Sequence, residues 1–137
     1  MAILGHNIIR VEFEKNPVPG GQVEVSLNPK IEELRLGEIN LPNGKVKGIE
    51  VELTYNIIYS PEVGKGMIRM IVFYLPRNRE DVDNILDNWE KEKKLPGELV
   101  AEVVNFANNL LIPFAMMITK EMGMPSPIPI PRVVVRQ

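Results

Sequence analysis

Met67-Ile68-Arg69-Met70-Ile71-Val72-Phe73-Tyr74-Leu75 runs straight into Pro76-Arg77-Asn78-Arg79-Glu80-Asp81-Val82, and the hydrophobic period changes between them. The first stretch is apolar on both faces apart from Arg69, which is the pattern of a strand in the middle of a sheet. Beyond Pro76, Val82, Ile85, Leu86 and Trp89 fall at i, i+3, i+4 and i+7, a single helical stripe. Before the junction the chain reads with period two; after it the period is helical up to a proline-rich tail. The fold class expected is α+β: a four-stranded antiparallel meander sheet, then two helices and an extended tail. We read a single domain over 1–137, with the sheet in 1–76, the helical part in 77–123 and the tail in 124–137.

Upstream of the junction, Ile9, Val11 and Phe13 alternate with Arg10, Glu12 and Glu14, a half-buried strand. Asn16-Pro17-Val18-Pro19-Gly20-Gly21 ends it. Val23, Val25 and Leu27 begin a second strand, which Asn28-Pro29 interrupts and Ile31 to Leu36 continues after a bend or bulge. The Asn43-Gly44 pair signals a hairpin. From Val46 to Tyr59 the set Ile49, Val51, Leu53, Tyr55, Ile57 and Tyr59 shares one face, opposite Glu50, Glu52, Thr54, Asn56 and Ile58. After the turn Ser60 to Gly66, Met67–Leu75 is placed centrally, and short connections between consecutive strands predict a meander.

Downstream, Asn78 caps the first helix, with Glu80 and Asp81 in its first turn and Lys91, Lys93 and Lys94 at its end. Leu95-Pro96-Gly97 stops it. The second helix is expected from about Glu98 to Met122, with Gly123 as the residue after its cap. Its apolar positions include Leu99, Val103, Phe106, Ala107, Leu110, Leu111, Phe114 and Ile118, and Pro113 in its interior is expected to kink it. The run Met124-Pro125-Ser126-Pro127-Ile128-Pro129-Ile130-Pro131 cannot be helical and is expected to be extended, with Val133–Val135 pairing as an edge strand. Leu110–Ile118, the longest apolar run, is well short of the ~20 residues a bilayer span needs, so it reads as a buried helix segment. With no basic leader before an apolar stretch at the N-terminus, we expect a cytoplasmic protein without membrane insertion.

Composition narrows the function. The chain has 137 residues with 16 Lys+Arg against 18 Asp+Glu and a net charge of −2. That balance disfavours a phosphate-tracking nucleic-acid protein. Cysteine is absent and histidine occurs once, so there is no thiolate for zinc or nucleophilic chemistry and little general base. Twelve prolines, seven methionines and 6% aromatics suit a binding protein better than a catalyst. His6 has no nearby carboxylate before Glu12, and a structural role is the simpler account. Glu12 with Glu14, and Glu50 with Glu52, put paired carboxylates on strand faces; hydrolysis would require one of them in a desolvated pocket, and a solvated face is the simpler reading. Gly64-Lys65-Gly66 lacks Walker spacing and opens no helix. Met116, Met117, Met122 and Met124 cluster at the end of the second helix, either filling the core or forming a soft apolar surface that adapts to partners.

The stretch Asn109-Leu110-Leu111-Ile112-Pro113-Phe114-Ala115 with Ile118-Thr119 resembles the helix of the SecB family of export chaperones, where an intrahelical proline precedes an aromatic and an alanine. Met124-Pro125 to Pro131 resembles that family's proline-rich tail. Val11-Glu12-Phe13 before Asn16-Pro17 is similar to its first strand and exit, and Gln22-Val23-Glu24-Val25-Ser26-Leu27-Asn28 to its second. The resemblance covers nearly the whole chain in short, mostly hydrophobic motifs. Three departures stand out: Met116-Met117 where the family carries Arg-Glu, the inserted helix Asn78–Lys94, and an ending Val133-Val134-Val135-Arg136-Gln137 without the acidic tail by which bacterial members engage the translocase motor.

The resemblance implies a cofactor-free, cytoplasmic, ATP-independent holdase that joins sheets into dimers, pairs dimers through helices, and holds unfolded or extended polypeptide in apolar grooves. The doubly apolar strand Met67–Leu75 and the long helix, apolar on more than one stripe, also lead us to expect a homo-oligomer, a dimer or dimer of dimers. Candidate peptide-binding residues are Trp89, Phe114, Met117 and Met124. No catalytic residue, metal or cofactor is expected. A structural or small-ligand-binding oligomer that reuses the fold stands as the second reading, and a hydrolase using the glutamate pairs as a third.

Overall fold

The structure is a computed structural model that describes residues 2–17, 23–60 and 63–127. Four strands come first: β1 (Ala2–Lys15), β2 (Glu24–Leu41), β3 (Gly44–Ser60) and β4 (Gly64–Leu75). Two helices follow, α1 (Asp81–Glu92) and α2 (Gly97–Glu121). The chain is α+β, as its change of period predicts.

The strands form one antiparallel sheet in the order β1-β4-β3-β2. Only β2, β3 and β4 make a meander; β1 crosses over to lie beside β4, the strand order of a Greek key. The expected four-strand meander is therefore corrected. An apolar β4 belongs inside the sheet, where its backbone needs a partner along each edge; β3 supplies one and β1 the other. The stretch from Asn16 to Val23 is also longer than the links at Pro42-Asn43 and 61–63, and a long link does not oblige two strands to pair.

Alternation along β3 is followed by burial. Ile49, Val51, Leu53, Tyr55, Ile57 and Tyr59 are at most 1% exposed. Ile68, Met70, Val72 and Tyr74 stand opposite them in register on the same, inner face. β2 is continuous through Asn28-Pro29, because an edge strand tolerates a missing N–H, and its register slips between Ile31 and Glu33 in a bulge. On the outer face Phe73 is buried with no further layer above it among the described residues. A Cβ on Gly48 would stand 2.7 Å from its ring, and one on Gly37 3.0 Å, so two glycines in adjacent strands make the floor it lies on.

Both helices cover the inner face, α1 over β2 and β3, α2 over β4. α1 begins at Asp81 with Glu80 at its cap, not at Asn78. The Asn78 carbonyl instead accepts from Asp81 N–H at 2.9 Å in the preceding turn. Val82 and Ile85 are buried, and Leu86 and Trp89 pack beside them. α2 buries Leu99, Val103, Ala107, Leu111, Ala115 and Thr119, every fourth residue. Such a row is inclined about 26° to the helix axis, so α2 meets the sheet along a slanted strip. Pro113 sits on its exposed side within an unbroken helix. Residues 128–137, with the expected edge strand Val133–Val135, lie outside the described residues.

Candidate peptide-binding surface

The C-terminal end of α2 is locked by its last turn. Gly123 takes φ +72°, a conformation that costs other residues but not glycine. Its N–H donates to the Lys120 carbonyl at 3.1 Å, and Met124 N–H donates to the Thr119 carbonyl at 2.8 Å. This pair of bonds is a Schellman motif, with Gly123 in the position the sequence predicts. It turns the chain back along the helix. Tyr59 Oη then donates to the Pro125 carbonyl at 2.7 Å, pinning the start of the tail to β3. Thr119, buried in α2, donates its hydroxyl to the Ala115 carbonyl at 2.9 Å.

The reversal encloses a cavity of about 500 Å³ lined by Met116, Met117, Thr119, Lys120, Met124 and Ser126. Three of the six are methionines, whose unbranched, polarisable side chains fill irregular contours. Met117 is 59% exposed, whereas Met124 is 6% exposed and belongs to the core. Met124 sits close above Gly64, where a Cβ would meet its sulfur at 2.9 Å and the Glu14 carbonyl at 2.4 Å. Burial raises the Tyr59 hydroxyl above its ordinary value, and pushes Tyr55 up to about 12. Both phenols stay neutral in any physiological range, and the hydroxyl of Tyr55 has no hydrogen-bond partner among the described residues.

Of the four candidate residues, the fold brings Met117 and Met124 to one cavity. Phe114 lies earlier on α2, partly buried against the core, and Trp89 is on α1; neither lines the cavity. Trp89 has a different task. Its Nε1 donates to Glu33 Oε1 at 2.8 Å, and the Lys93 ammonium lies 4.7 Å from its ring centroid. The indole hydrogen bond, then the Leu34 N–H, hold the Glu33 carboxyl below its ordinary value. The β2 bulge places Glu33 for this bond, so Trp89 fastens α1 to the sheet. Thr119, Lys120 and Ser126 were not anticipated as lining residues. Their signal is spacing: Thr119 and Lys120 stand three and four positions after Met116, on the same helical face.

Two further apolar surfaces are partly exposed among the described residues. On α2 Met117 is exposed and Ile112, Phe114, Met116 and Ile118 are half-buried, and the helix is long and apolar enough by length and composition to cross a membrane. On the β1 edge Leu4, Ile8, Ile9 and Val11 are all exposed. Both edges carry features that blunt an edge: β1 has register shifts between Ile3 and Gly5 and between Ile8 and Arg10 and the Arg10–Glu12 ion pair, and β2 has Pro29, one bulge and Lys30–Glu32 at 3.7 Å.

The acidic pairs are engaged elsewhere. Glu12 is paired with Arg10, and Glu14 with Lys65 at 3.7 Å. Arg35 donates to Glu52 at 2.9 Å and lies 3.7 Å from Glu50, while Arg69 reaches Glu52 at 3.6 Å. His6 stacks obliquely on Phe106 of α2, ring centroids 5.4 Å apart. Among the described residues no three His, Asp or Glu side chains group closely enough to hold a metal. Gly64-Lys65-Gly66 opens strand β4, not a helix.

No protein-family model matches the chain, and searches of curated proteins and of solved structures return no match. The resemblance to the SecB family thus rests on the residues quoted above.

Proposed function

We propose that the chain is a SecB-like, ATP-independent holdase: a cytoplasmic homo-oligomer that binds unfolded or extended polypeptide and carries out no catalysis. The observation that carries this reading is the exposed Met117 with the half-buried Ile112, Phe114, Met116 and Ile118 beside it at the C-terminal end of α2, adjoining the methionine-lined cavity. Soluble monomers rarely leave a contiguous apolar patch of this kind without a partner. The exposed aliphatic side chains of the β1 edge support the oligomer. A strand of 14 residues with four exposed large aliphatic side chains is a template for pairing with another strand. The carboxylate pairs argue against hydrolysis, since each faces a cation and none stands in a dry pocket.

A small-ligand-binding oligomer is the alternative, favoured by one feature: a cavity of about 500 Å³ falls in the range that takes small molecules. Mass measurement separates the readings. The protein alone should exceed 15.5 kDa at micromolar concentration, and its mass should rise by that of one chain when a permanently unfolded client is added. A protein that stays at monomer mass and gains nothing from the client contradicts the proposal.

A further inference from the structure

We infer that the cavity at the end of α2 selects for charge as well as apolarity: it takes an apolar side chain of an extended peptide that has a carboxylate close by in sequence. The inference rests on the holdase reading and specifies its clients. The floor is apolar, built by Met116, Met117 and Met124, with Thr119 contributing a hydroxyl already bonded within the helix. The mouth is cationic. Lys120 lines the cavity, and Lys15 Nζ stands 3.0 Å from where a Cβ on Gly123 would be, one residue from Met124. Among the described residues neither ammonium makes an ion pair, whereas Lys30, Lys45, Lys65 and Lys94 each do. Glu121, exposed on the last turn, does not line the cavity.

Lys120 on the lining and Lys15 beside the Gly123 turn complement a segment in which Leu, Ile or Phe is followed by Asp or Glu. The apolar side chain drives binding by burial, and the charge sets preference and register. Exposed ion pairs are each worth little, so the preference for an acidic over a basic flank should be about twofold to fivefold. It should disappear at about 1 M salt, where the Debye length is ~3 Å, while binding of the apolar centre remains.

The test uses two short fluorescent peptides with the same leucine-rich centre, one flanked by glutamates and one by lysines, titrated by anisotropy against the full-length protein. The acidic peptide should bind tighter at low salt, the two should converge at high salt, Lys120→Gln should lessen the difference and Lys120→Glu should lessen it further. Equal affinities at low salt, or a preference unmoved by Lys120→Glu, overturn the inference and leave the holdase reading standing. Binding of neither peptide, with no hold on an unfolded client, removes both.

Discussion

α1 and α2 lie on the same face of the same sheet, yet they are built in opposite ways. α1 buries one narrow stripe and turns Asp83, Asn84, Asp87, Asn88, Glu90 and Lys91 to solvent. That is an amphipathic helix satisfied by one contact. α2 buries its slanted row and still exposes or half-exposes Ile112, Phe114, Met116, Met117 and Ile118. Its exposed side is mixed, with Asn105 and Asn109 toward the middle and Pro113 and Met117 toward the C-terminal end. On the proposed reading, α1 finishes the monomer and α2 is the helix that an assembly or a client would complete.

The largest effect expected from breaking this contrast is on α2's buried row. Leu111 is 1% exposed, and Leu111→Ala should cost about 2–5 kcal/mol in chemical denaturation. A loss under about 1 kcal/mol would mean that α2 does not rest on the sheet along that row.

Pro113 probes the opposite side of the same helix. Because it is exposed and denies the helix one hydrogen bond, Pro113→Ala should leave stability unchanged or raise it, by up to ~3 kcal/mol on intrinsic propensity. Marked destabilisation would show that the proline ring packs against something the account omits.

α1 offers the smallest effect and a spectroscopic handle, because Trp89 is the sole tryptophan. The carboxyl of Glu33 is held below its ordinary value of 4.5, first by the indole N–H and then by Leu34 N–H. A lowered folded value means that this contact stabilises α1 above the unfolded carboxylate value and is lost as pH falls through the folded one. Trp89 fluorescence should change with a midpoint below 4.5, and Glu33→Gln should abolish that titration. A midpoint at or above 4.5 contradicts the bond.

Much of this was legible in the residues. The alternation from Ile49 to Tyr59 identifies the inner face, and Gly123 locates the end of α2, because both are local consequences of side-chain period and backbone freedom. The place of β1 was not legible, since alternation assigns a strand its faces but not its neighbours. Nor was the role of Trp89, which depends on a bulge that carries Glu33 into reach. Asn43-Gly44 marks the hairpin correctly, but the turn itself is Pro42-Asn43, and Gly44, at φ +127°, already pairs with Leu41. Of the four candidate residues, Met117 and Met124 meet because the chain doubles back at Gly123, and Tyr59, distant in sequence, secures that return.

The central claim, that the exposed side of α2 holds unfolded chains, is tested most directly by suppression of aggregation of an unfolding client at stoichiometric oligomer. Wild-type protein should slow aggregation without ATP. Met117→Glu, at a side chain 59% exposed, should change stability by no more than about 0.5 kcal/mol yet lose most of that protection, and Phe114→Ser should weaken it. Wild-type protein that leaves aggregation unaltered, or Met117→Glu that protects as well as wild type, contradicts the account.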